Sequence, residues 1–149
     1  MINRVDLAVI MPSAKEKNID RFWQHLNDAM DEFEINSPER QAAFLAQIGH
    51  ESGQLRYSEE IASGDAYEGR IDLGNTEVGD GRRFKGRGLI QITGRANYAA
   101  CGAALGLDLI GEPDLLQIPE YACRSAAWFW RSHGLNRLAD GGNFERITR

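Results

Sequence analysis

The sequence is poor in the residues that build disulfide scaffolds and metal centres. It has two cysteines, Cys101 and Cys123, and three widely spaced histidines among 149 residues. The pair His50-Glu51 lacks the second histidine that a zinc-protease helix carries four positions after the first. We therefore expect no metal or other cofactor, and two free, buried thiols rather than a disulfide.

Long apolar runs are also missing. Because no apolar stretch of about 18 residues is present, we expect no stable insertion into a membrane. The N-terminal segment MINRVDLAVIMPSAKEK has a short apolar run interrupted by Asp6 and no small-residue cleavage site, so it is a poor secretion signal. We expect a protein that starts in the cytoplasm, and we take it to be a monomer.

Motifs for nucleotide and nucleic-acid binding are absent. The glycines at 86 and 88 are not followed by the Lys-Thr pair of a phosphate loop, and no nucleophilic serine turn occurs. The stretch 81–107 contains five basic residues and no acidic one: Arg82, Arg83, Lys85, Arg87 and Arg95. Such a stretch suits an anionic polymer. The net charge is nevertheless −5 and no recognition helix or zinc finger occurs, so nucleic acid is not the expected partner.

The residues that are present suffice for one mainly helical domain. Of 149 residues 42% are apolar and 26% are charged, as in a globular protein with a single core. Apolar residues recur at helical spacing. The predicted helices are residues 4–11, a helix of about five turns that ends near residue 36, residues 37–52, 95–105 and 119–134, and a last segment from 143, with a short turn beginning at 112–114. Residues 57–63 are expected to add one helical turn, and residues 63–88 to be irregular with at most a small hairpin. The fold class is therefore mainly α, and α+β at most.

The segment 37–60 carries the clearest chemical signal. A hydroxyl cap at Ser37 followed by proline predicts the start of a helix, and Gly53 predicts its end. Phe44, Ile48 and Glu51 follow one another at i, i+4 and i+7, so a carboxylate stands where a core residue is expected. Shielding by the core and the negative end of the helix dipole both favour the protonated acid, which is the form a general acid needs.

A general acid of this kind works with a second carboxylate. Glu59 and Glu60 are the candidates, and either approaches Glu51 only if the chain reverses after the helix. An arginine such as Arg70 or Arg87 is expected to keep Glu60 ionised while Glu51 stays protonated. The residues alone leave open which glutamate is the partner. They also leave open that Glu51 is an ordinary solvated helix-end residue.

Two separated motifs carry a resemblance to a known family. The first is AAFLAQIGHESGQL at residues 42–55, followed by YEGR at 67–70 and DLGN at 72–75; the second is FKGRGLIQIT at 84–93, followed by Asn97-Tyr98. They resemble glycoside hydrolase family 19, which contains plant chitinases and many phage or prophage lysozymes, and the first motif resembles the bacteriophage-type branch. The resemblance implies a lysozyme-like fold with two lobes and a central cleft. It also implies inverting hydrolysis of β-1,4-linked N-acetylglucosamine polymers.

The resemblance also implies roles for individual residues. Glu51 matches the general acid, Glu60 rather than Glu59 matches the general base, and Thr93 matches a hydroxyl residue that holds the nucleophilic water. The positions implied to bind substrate are His50, Tyr67, Arg70, Arg87, Gln91, Asn97 and Tyr98. No cofactor is implied, and an inverting enzyme needs its two carboxyl groups about 6.5–9.5 Å apart to admit a water molecule.

Three functions follow from the resemblance. The first is an endolysin-type peptidoglycan hydrolase, a single catalytic domain over residues 1–149 that reaches the cell wall through a membrane lesion made by another protein. The cell-wall polymer is anionic, so we expect the basic stretch 81–107 to bind it. The second is a chitinase, although the long loops and disulfides of plant members are missing. The third is an inactive prophage remnant that binds glycan, since the chain stops where family members continue into an Asn-Gly-Gly segment and is apparently truncated.

Overall fold

The structure, a computed structural model, describes residues 1–142, so the helix predicted from residue 143 lies outside the described residues. Within them the elements are the helices α1 to α7: Arg4–Ile10, Glu16–Glu32, Pro38–Glu51, Asp80–Arg83, Arg95–Leu105, Pro119–Ser132 and Leu135–Asp140. Short 3₁₀ turns lie at Asp65–Tyr67, Ile71–Leu73 and Pro113–Gln117. Only isolated bridges take the place of strands in residues 1–142, which confirms the mainly helical prediction. None of the helices described is long and apolar enough to cross a membrane.

The core forms where α2 packs against α6, with α1 and α3 on its flanks. Helical spacing predicts an apolar stripe of Phe22, Leu26, Met30 and Phe33 on α2, and all four residues are buried. The same spacing predicts an inner face of Ala122, Ala126 and Phe129 on α6, which is wrong at one position. Trp130 is fully buried in place of the half-buried Phe129.

Trp130 can be buried because its one polar atom has a partner. Its indole N–H donates to Asn136 Oδ1 at 2.8 Å, and its ring packs edge-on against Phe44 with centroids 5.5 Å apart. A buried tryptophan normally requires such an acceptor. The acceptor belongs to α7, so the spacing of α6 alone does not predict which aromatic residue turns inward.

Cys101 and Cys123 are buried free thiols, as predicted. Burial raises the pKa of the Cys101 thiol to about 12 and that of Cys123 well above its usual range. Both thiols stay protonated at neutral pH, and a protonated thiol is a poor nucleophile and a poor metal ligand. The cysteines therefore serve packing.

Residues 57–63 do not form the helical turn that we predicted. Instead residues 58–60 run beside the 86–92 segment, where Glu59 bridges Arg87, which in turn bridges Ile92. The physical reason is the long-range pairing with the 86–92 segment, which uses backbone groups that a helix would bond locally. This pairing places residues 58–60 beside the second motif.

Asp80 anchors the irregular segment to α5. Its side chain is 2% exposed, and it accepts hydrogen bonds from Arg95 Nε at 2.8 Å and from Arg95 Nη2 at 2.9 Å. These hydrogen bonds hold the pKa of Asp80 below its usual value despite burial. The ion pair therefore stabilises the folded state most where Asp80 is ionised.

Asp80→Asn is expected to lower the free energy of unfolding at pH 7 by about 2 kcal/mol, less than the ~3–5 kcal/mol typical of a fully buried pair. The smaller value applies because the Arg95 side chain is 25% exposed. A lowered folded-state pKa gives stability that is present above the unfolded value of about 3.9 and is lost as the pH falls through the folded value. Urea unfolding at several pH values should therefore show the difference between wild type and variant shrinking below about pH 4.

The matched control is Asp72→Asn, which removes an exposed carboxylate paired with Arg70 and should leave stability unchanged. An Asp80→Asn deficit that is as large at pH 3 as at pH 7 would show that the ion pair is not its cause.

Candidate active site

Glu51 is the last residue of α3, and its side chain is exposed. The shielding by core residues that we predicted is therefore wrong. The apolar stripe of Phe44 and Ile48 continues into Ser52, which is fully buried and donates its hydroxyl hydrogen to the Ile48 carbonyl oxygen at 2.6 Å. Glu51 lies on the same helix face as Phe44, but α3 ends at this residue, so the core no longer covers that face and the buried position falls to the C-cap residue Ser52.

The Glu51 carboxylate has one side-chain partner on its own helix. Gln47 Nε2 donates to Glu51 Oε1 at 2.8 Å. Sequence reasoning did not single out Gln47, although its spacing of four residues before Glu51 is the usual signal for side-chain contact along a helix. His50, also predicted to bind substrate, is exposed next to Glu51.

The chain reverses immediately after α3, as the sequence predicts at Gly53. Three consecutive residues, Gly53, Gln54 and Leu55, have left-handed backbones with φ of 61°, 56° and 70°. The reversal is closed by the Gln54 N–H, which donates to the Gly49 carbonyl oxygen at 2.7 Å. A left-handed residue with a side chain costs about 1–2 kcal/mol, and such strain concentrates at functional sites. The turn returns the chain to the extended residues 58–60.

Glu60 is half-buried and its carboxylate is held at both oxygens. Gly86 N–H donates to Oε1 at 2.6 Å and the Tyr67 hydroxyl donates to Oε2 at 3.0 Å. The Glu60 N–H in turn donates to the Gly86 carbonyl oxygen at 2.9 Å. Burial, with a smaller contribution from the Glu60 carboxylate, raises the pKa of Tyr67, so Tyr67 remains a hydrogen-bond donor. The carboxylate is therefore fixed in place without a cation.

Glu59 contacts a different set of residues because successive side chains of an extended chain point in opposite directions. Its carboxylate pairs with Arg87 Nε at 3.3 Å and with Lys85 Nζ at 3.2 Å, and it accepts a short hydrogen bond from Gln117 Nε2. Glu59 is thus neutralised by two cations. This setting suits a structural carboxylate better than a base that must accept a proton from water.

The prediction that Arg70 or Arg87 keeps Glu60 ionised is wrong. Arg70 pairs with Asp72 at 2.5 Å, and Arg87 pairs with Glu59. The side chain of Arg87 is only 7% exposed, so its guanidinium is committed to internal partners rather than to a sugar beside Glu60. The Glu60 carboxyl group is held by hydrogen bonds from a hydroxyl and a backbone amide, where we predicted a cation.

Three predicted residues of the second motif keep part of their surface accessible. Thr93 and Gln91 are half-buried, and Asn97 is exposed with its amide donating to the Thr93 carbonyl oxygen at 2.8 Å. Gln91 packs closely against Gly86, since a Cβ atom at Gly86 would lie 2.7 Å from Gln91 Oε1 and the Gln91 side chain would have to shift. Substrate contact by Thr93, Gln91 and Asn97 stays a prediction.

Tyr98 does not line the site, contrary to our expectation. Its side chain is fully buried, packs against Phe84 with ring centroids 5.1 Å apart, and donates its hydroxyl hydrogen to the Lys85 carbonyl oxygen at 2.5 Å. Burial raises the pKa of Tyr98, so the hydroxyl stays neutral. Tyr98 supports the loop that carries Gly86, and it is a structural residue.

The basic stretch 81–107 is not a free cationic surface. All five of its cations contact acceptors within the chain: Arg82 contacts Asp65, Arg83 the carbonyls of Ile110 and Gly111, Lys85 and Arg87 contact Glu59, and Arg95 contacts Glu77 and Asp80. The acidic partners lie outside the stretch: Asp65, Glu59, Glu77 and Asp80 precede it, and Asp114, which pairs with Arg87 Nη2 at 3.4 Å, follows it. A charge count over residues 81–107 therefore misses them, and our prediction of a surface for an anionic polymer is wrong.

A cavity of about 1000 Å³ lies on the Glu59 side of the 86–92 segment. Arg87, Asp114 and Gln117 are among its lining residues, whereas Glu51 and Glu60 are not. Within residues 1–142 no group of three His, Cys, Asp or Glu side chains has a metal-binding arrangement. The two candidate carboxyl groups have different settings: Glu51 is exposed at the end of α3, and Glu60 is held by hydrogen bonds from Gly86 and Tyr67.

Comparison with known proteins places residues 33–139 in the family described as chitinase class I of glycoside hydrolase family 19. A glycosyl hydrolase family 19 domain-containing protein of Haemophilus influenzae is 30% identical over an alignment that covers 100% of this chain and 86% of that protein. An Arabidopsis thaliana endochitinase is 42% identical over 72% of this chain, but the chain spans only 37% of the endochitinase.

Two solved bacterial enzymes share the fold. Chitinase C of Streptomyces griseus is 28% identical with a TM-score of 0.69, over 88% of this chain and 55% of that enzyme. A bacterial family 19 chitinase is 25% identical with a TM-score of 0.75, over 96% of this chain and 77% of that enzyme. The chain thus spans about half of the first enzyme and about three quarters of the second.

Proposed function

Because the chain belongs to glycoside hydrolase family 19, and is therefore a glycoside hydrolase, we propose that it cleaves the β-1,4 bonds of an aminosugar polymer by an inverting two-carboxylate mechanism. The observation that carries this proposal is the setting of Glu60, whose two oxygens accept hydrogen bonds from Gly86 N–H and the Tyr67 hydroxyl. A carboxylate oriented in this way is ready to accept a proton from water. Glu51 supplies the exposed partner at the end of α3.

Each residue has a defined part in the proposed reaction. Glu51 donates its proton to the glycosidic oxygen as the bond between that oxygen and the anomeric carbon breaks. Glu60 takes a proton from a water molecule, whose oxygen forms the new bond to the anomeric carbon from the opposite face. Thr93 orients that water. The transition state carries positive charge on the sugar, which an ionised Glu60 also stabilises.

We propose peptidoglycan as the polymer, which makes the chain an endolysin-type muramidase of the bacteriophage branch. The relative from Haemophilus influenzae is matched over 86% of its length, whereas the Arabidopsis endochitinase is matched over 37%. The two cysteines are free thiols, unlike the disulfide-linked cysteines that the resemblance implies for plant members. Because the five basic residues of the stretch 81–107 contact acceptors within the chain, the proposal does not depend on attraction between this stretch and the anionic polymer.

Chitin is the second candidate substrate. The relatives and neighbours that carry a substrate in their names are chitinases of plants and bacteria. Peptidoglycan and chitin share the β-1,4-linked N-acetylhexosamine backbone, so the same pair of carboxyl groups serves either polymer. The peptide-bearing lactyl ether of peptidoglycan is the chemical difference that a cleft must accept or reject.

The test is a comparison of the two polymers with one enzyme preparation. Permeabilised Gram-negative cells are used because we propose that the protein stays in the cytoplasm until another protein opens the membrane. A muramidase should lower the turbidity of the cells and release new reducing ends from purified peptidoglycan, while Glu51→Gln at the same concentration should not. Cleavage of chitin oligomers without cleavage of peptidoglycan would replace the first proposal by the second.

Anomeric configuration and binding complete the test. Proton NMR of the first turnovers should show the α-anomer at the newly formed reducing end, as inversion of a β-linkage requires. Calorimetric binding of oligosaccharide by wild-type protein without cleavage of either polymer would overturn the enzymatic proposal. It would identify a glycan-binding module instead.

A further inference from the structure

Gln47 lies one helical turn before Glu51 and contacts the proposed acid directly. Its Nε2 donates to Glu51 Oε1 at 2.8 Å. Gln47 is half-buried, and its other amide atom, Oε1, is buried with no hydrogen-bond donor among the described residues. The amide nitrogen therefore has a hydrogen-bond partner in Glu51, whereas the buried amide oxygen has none among the described residues.

This arrangement lowers stability instead of raising it. A buried carbonyl oxygen without a donor destabilises the folded state, and an apolar side chain of the same shape would avoid this cost. Residues that are unfavourable for folding are often retained where activity requires them. The only hydrogen bond of the Gln47 amide among the described residues is to Glu51. We therefore expect the benefit of Gln47 to be an effect on the Glu51 carboxyl group.

We propose that Gln47 is a positioning residue that holds the Glu51 carboxyl group and stabilises the carboxylate formed when Glu51 gives up its proton. The proposal rests on the proposed function, in which Glu51 is the general acid. Because Gln47 Nε2 occupies Glu51 Oε1, the proton to be donated belongs on Oε2. As the glycosidic bond breaks, that proton moves from Oε2 to the glycosidic oxygen and the negative charge spreads to Oε1, where the amide N–H already points.

Such a donor favours the transition state over the ground state. A hydrogen bond from an N–H group is stronger to a charged oxygen than to a neutral one. The protonated acid in the ground state gains less from Gln47 than the carboxylate that develops during proton transfer. An interaction that strengthens along the reaction raises kcat rather than lowering KM.

The test replaces the amide by an unbranched apolar side chain. Gln47→Met is expected to lower kcat about tenfold or more, since hydrogen bonds to charged groups are the stronger class, with KM changed by less than about twofold. The alkaline limb of the pH profile should move to higher pH, because the ionised form of Glu51 loses a donor. The melting temperature should stay the same or rise, since the unsatisfied carbonyl is removed.

The chain offers a matched control in Gln24. Its Nε2 donates to Asp28 Oδ1 at 2.9 Å with the same four-residue spacing on α2, and both side chains are exposed. Gln24→Met removes the same kind of contact away from Glu51 and should leave kcat, KM and the pH profile unchanged. A loss of activity shared by both variants would overturn the specific role of Gln47.

A double variant separates this proposal from the proposed function. If Gln47 acts through Glu51, Gln47→Met should lower kcat no further in a Glu51→Gln background. Full turnover of Gln47→Met in an enzyme that Glu51→Gln inactivates would overturn only the role of Gln47, whereas full turnover of Glu51→Gln would overturn the proposed function itself. Should Gln47→Met fail to fold, Gln47→Asn keeps an amide that is too short to reach Glu51 and should show the same loss of kcat.

Discussion

Glu51→Gln is expected to lower kcat by about 10²- to 10⁴-fold, the usual contribution of a general acid. The amide cannot donate the proton that the leaving sugar oxygen needs, yet it keeps the shape and the hydrogen-bonding capacity of the carboxyl group. Glu51 is exposed at the carboxyl end of α3, where a negative charge is unfavourable, so the variant should be as stable as the wild type. Turnover and thermal unfolding of the same preparation measure both effects.

A substrate whose leaving group needs no protonation distinguishes loss of the general acid from other causes of inactivity. Dinitrophenyl glycosides of an aminosugar oligomer leave as stable phenolates, so Glu51→Gln should recover most of its activity on them. Glu39→Gln, which removes an exposed carboxylate from the first turn of the same helix, is the matched control and should turn over normally. Turnover of natural polymer by Glu51→Gln within about twofold of wild type would exclude Glu51 as the acid.

Glu60→Gln is expected to lower kcat by a similar factor of about 10² to 10⁴, because it removes the base that activates water. The amide oxygen of the variant can still accept from Gly86 N–H, and its NH₂ group can donate to the Tyr67 hydroxyl oxygen, so the side chain stays in place while the base is lost. An activated leaving group should not restore this variant, since the missing step is at the water. Azide, a nucleophile that needs no deprotonation, should restore it and yield a glycosyl azide of inverted configuration.

Glu59→Gln is the control for Glu60 and decides the question that the sequence leaves open. Its carboxylate pairs with Lys85 and Arg87, so we expect normal turnover and a moderate loss of stability as the buried Arg87 guanidinium loses a partner. Inactivity of Glu59→Gln combined with activity of Glu60→Gln, measured on folded proteins, would reverse the assignment.

The helices could be predicted from local sequence because their ends are chemically marked. α5 spans Arg95–Leu105 as predicted, and α3 begins at Pro38 with the Ser37 hydroxyl oxygen accepting from Arg40 N–H at 3.1 Å. The position of Glu51 at the end of α3 also follows from Gly53. Capping residues, proline and glycine act within a few residues of the helix end, so the local sequence contains everything that determines where these helices begin and end.

The surroundings of each candidate side chain could not be predicted, because they depend on residues distant in sequence. Tyr98 is buried by Phe84 and the 85–87 segment, and Arg87 pairs with Glu59, which lies 28 residues earlier in the chain. The exposure of Glu51 differs from the prediction because α3 ends at this residue, so its helical spacing from Phe44 and Ile48 does not determine what covers it. Sequence patterns indicated Glu51 and Glu60 as candidate reacting groups, but ion pairing and burial depend on the tertiary structure.

The opposite orientations of Glu59 and Glu60 bear on how this loop tolerates changes of length. If a residue were inserted in the 53–58 turn, the loop would bulge and keep Glu60 in place, or the extended segment would slide by one residue. After such a slide Glu59 would lie beside Tyr67 and Gly86. A carboxylate would occupy that position in both cases. A site with a single glutamate would lose its carboxylate after such a slide, whereas two adjacent glutamates make this site tolerant of a single-residue insertion.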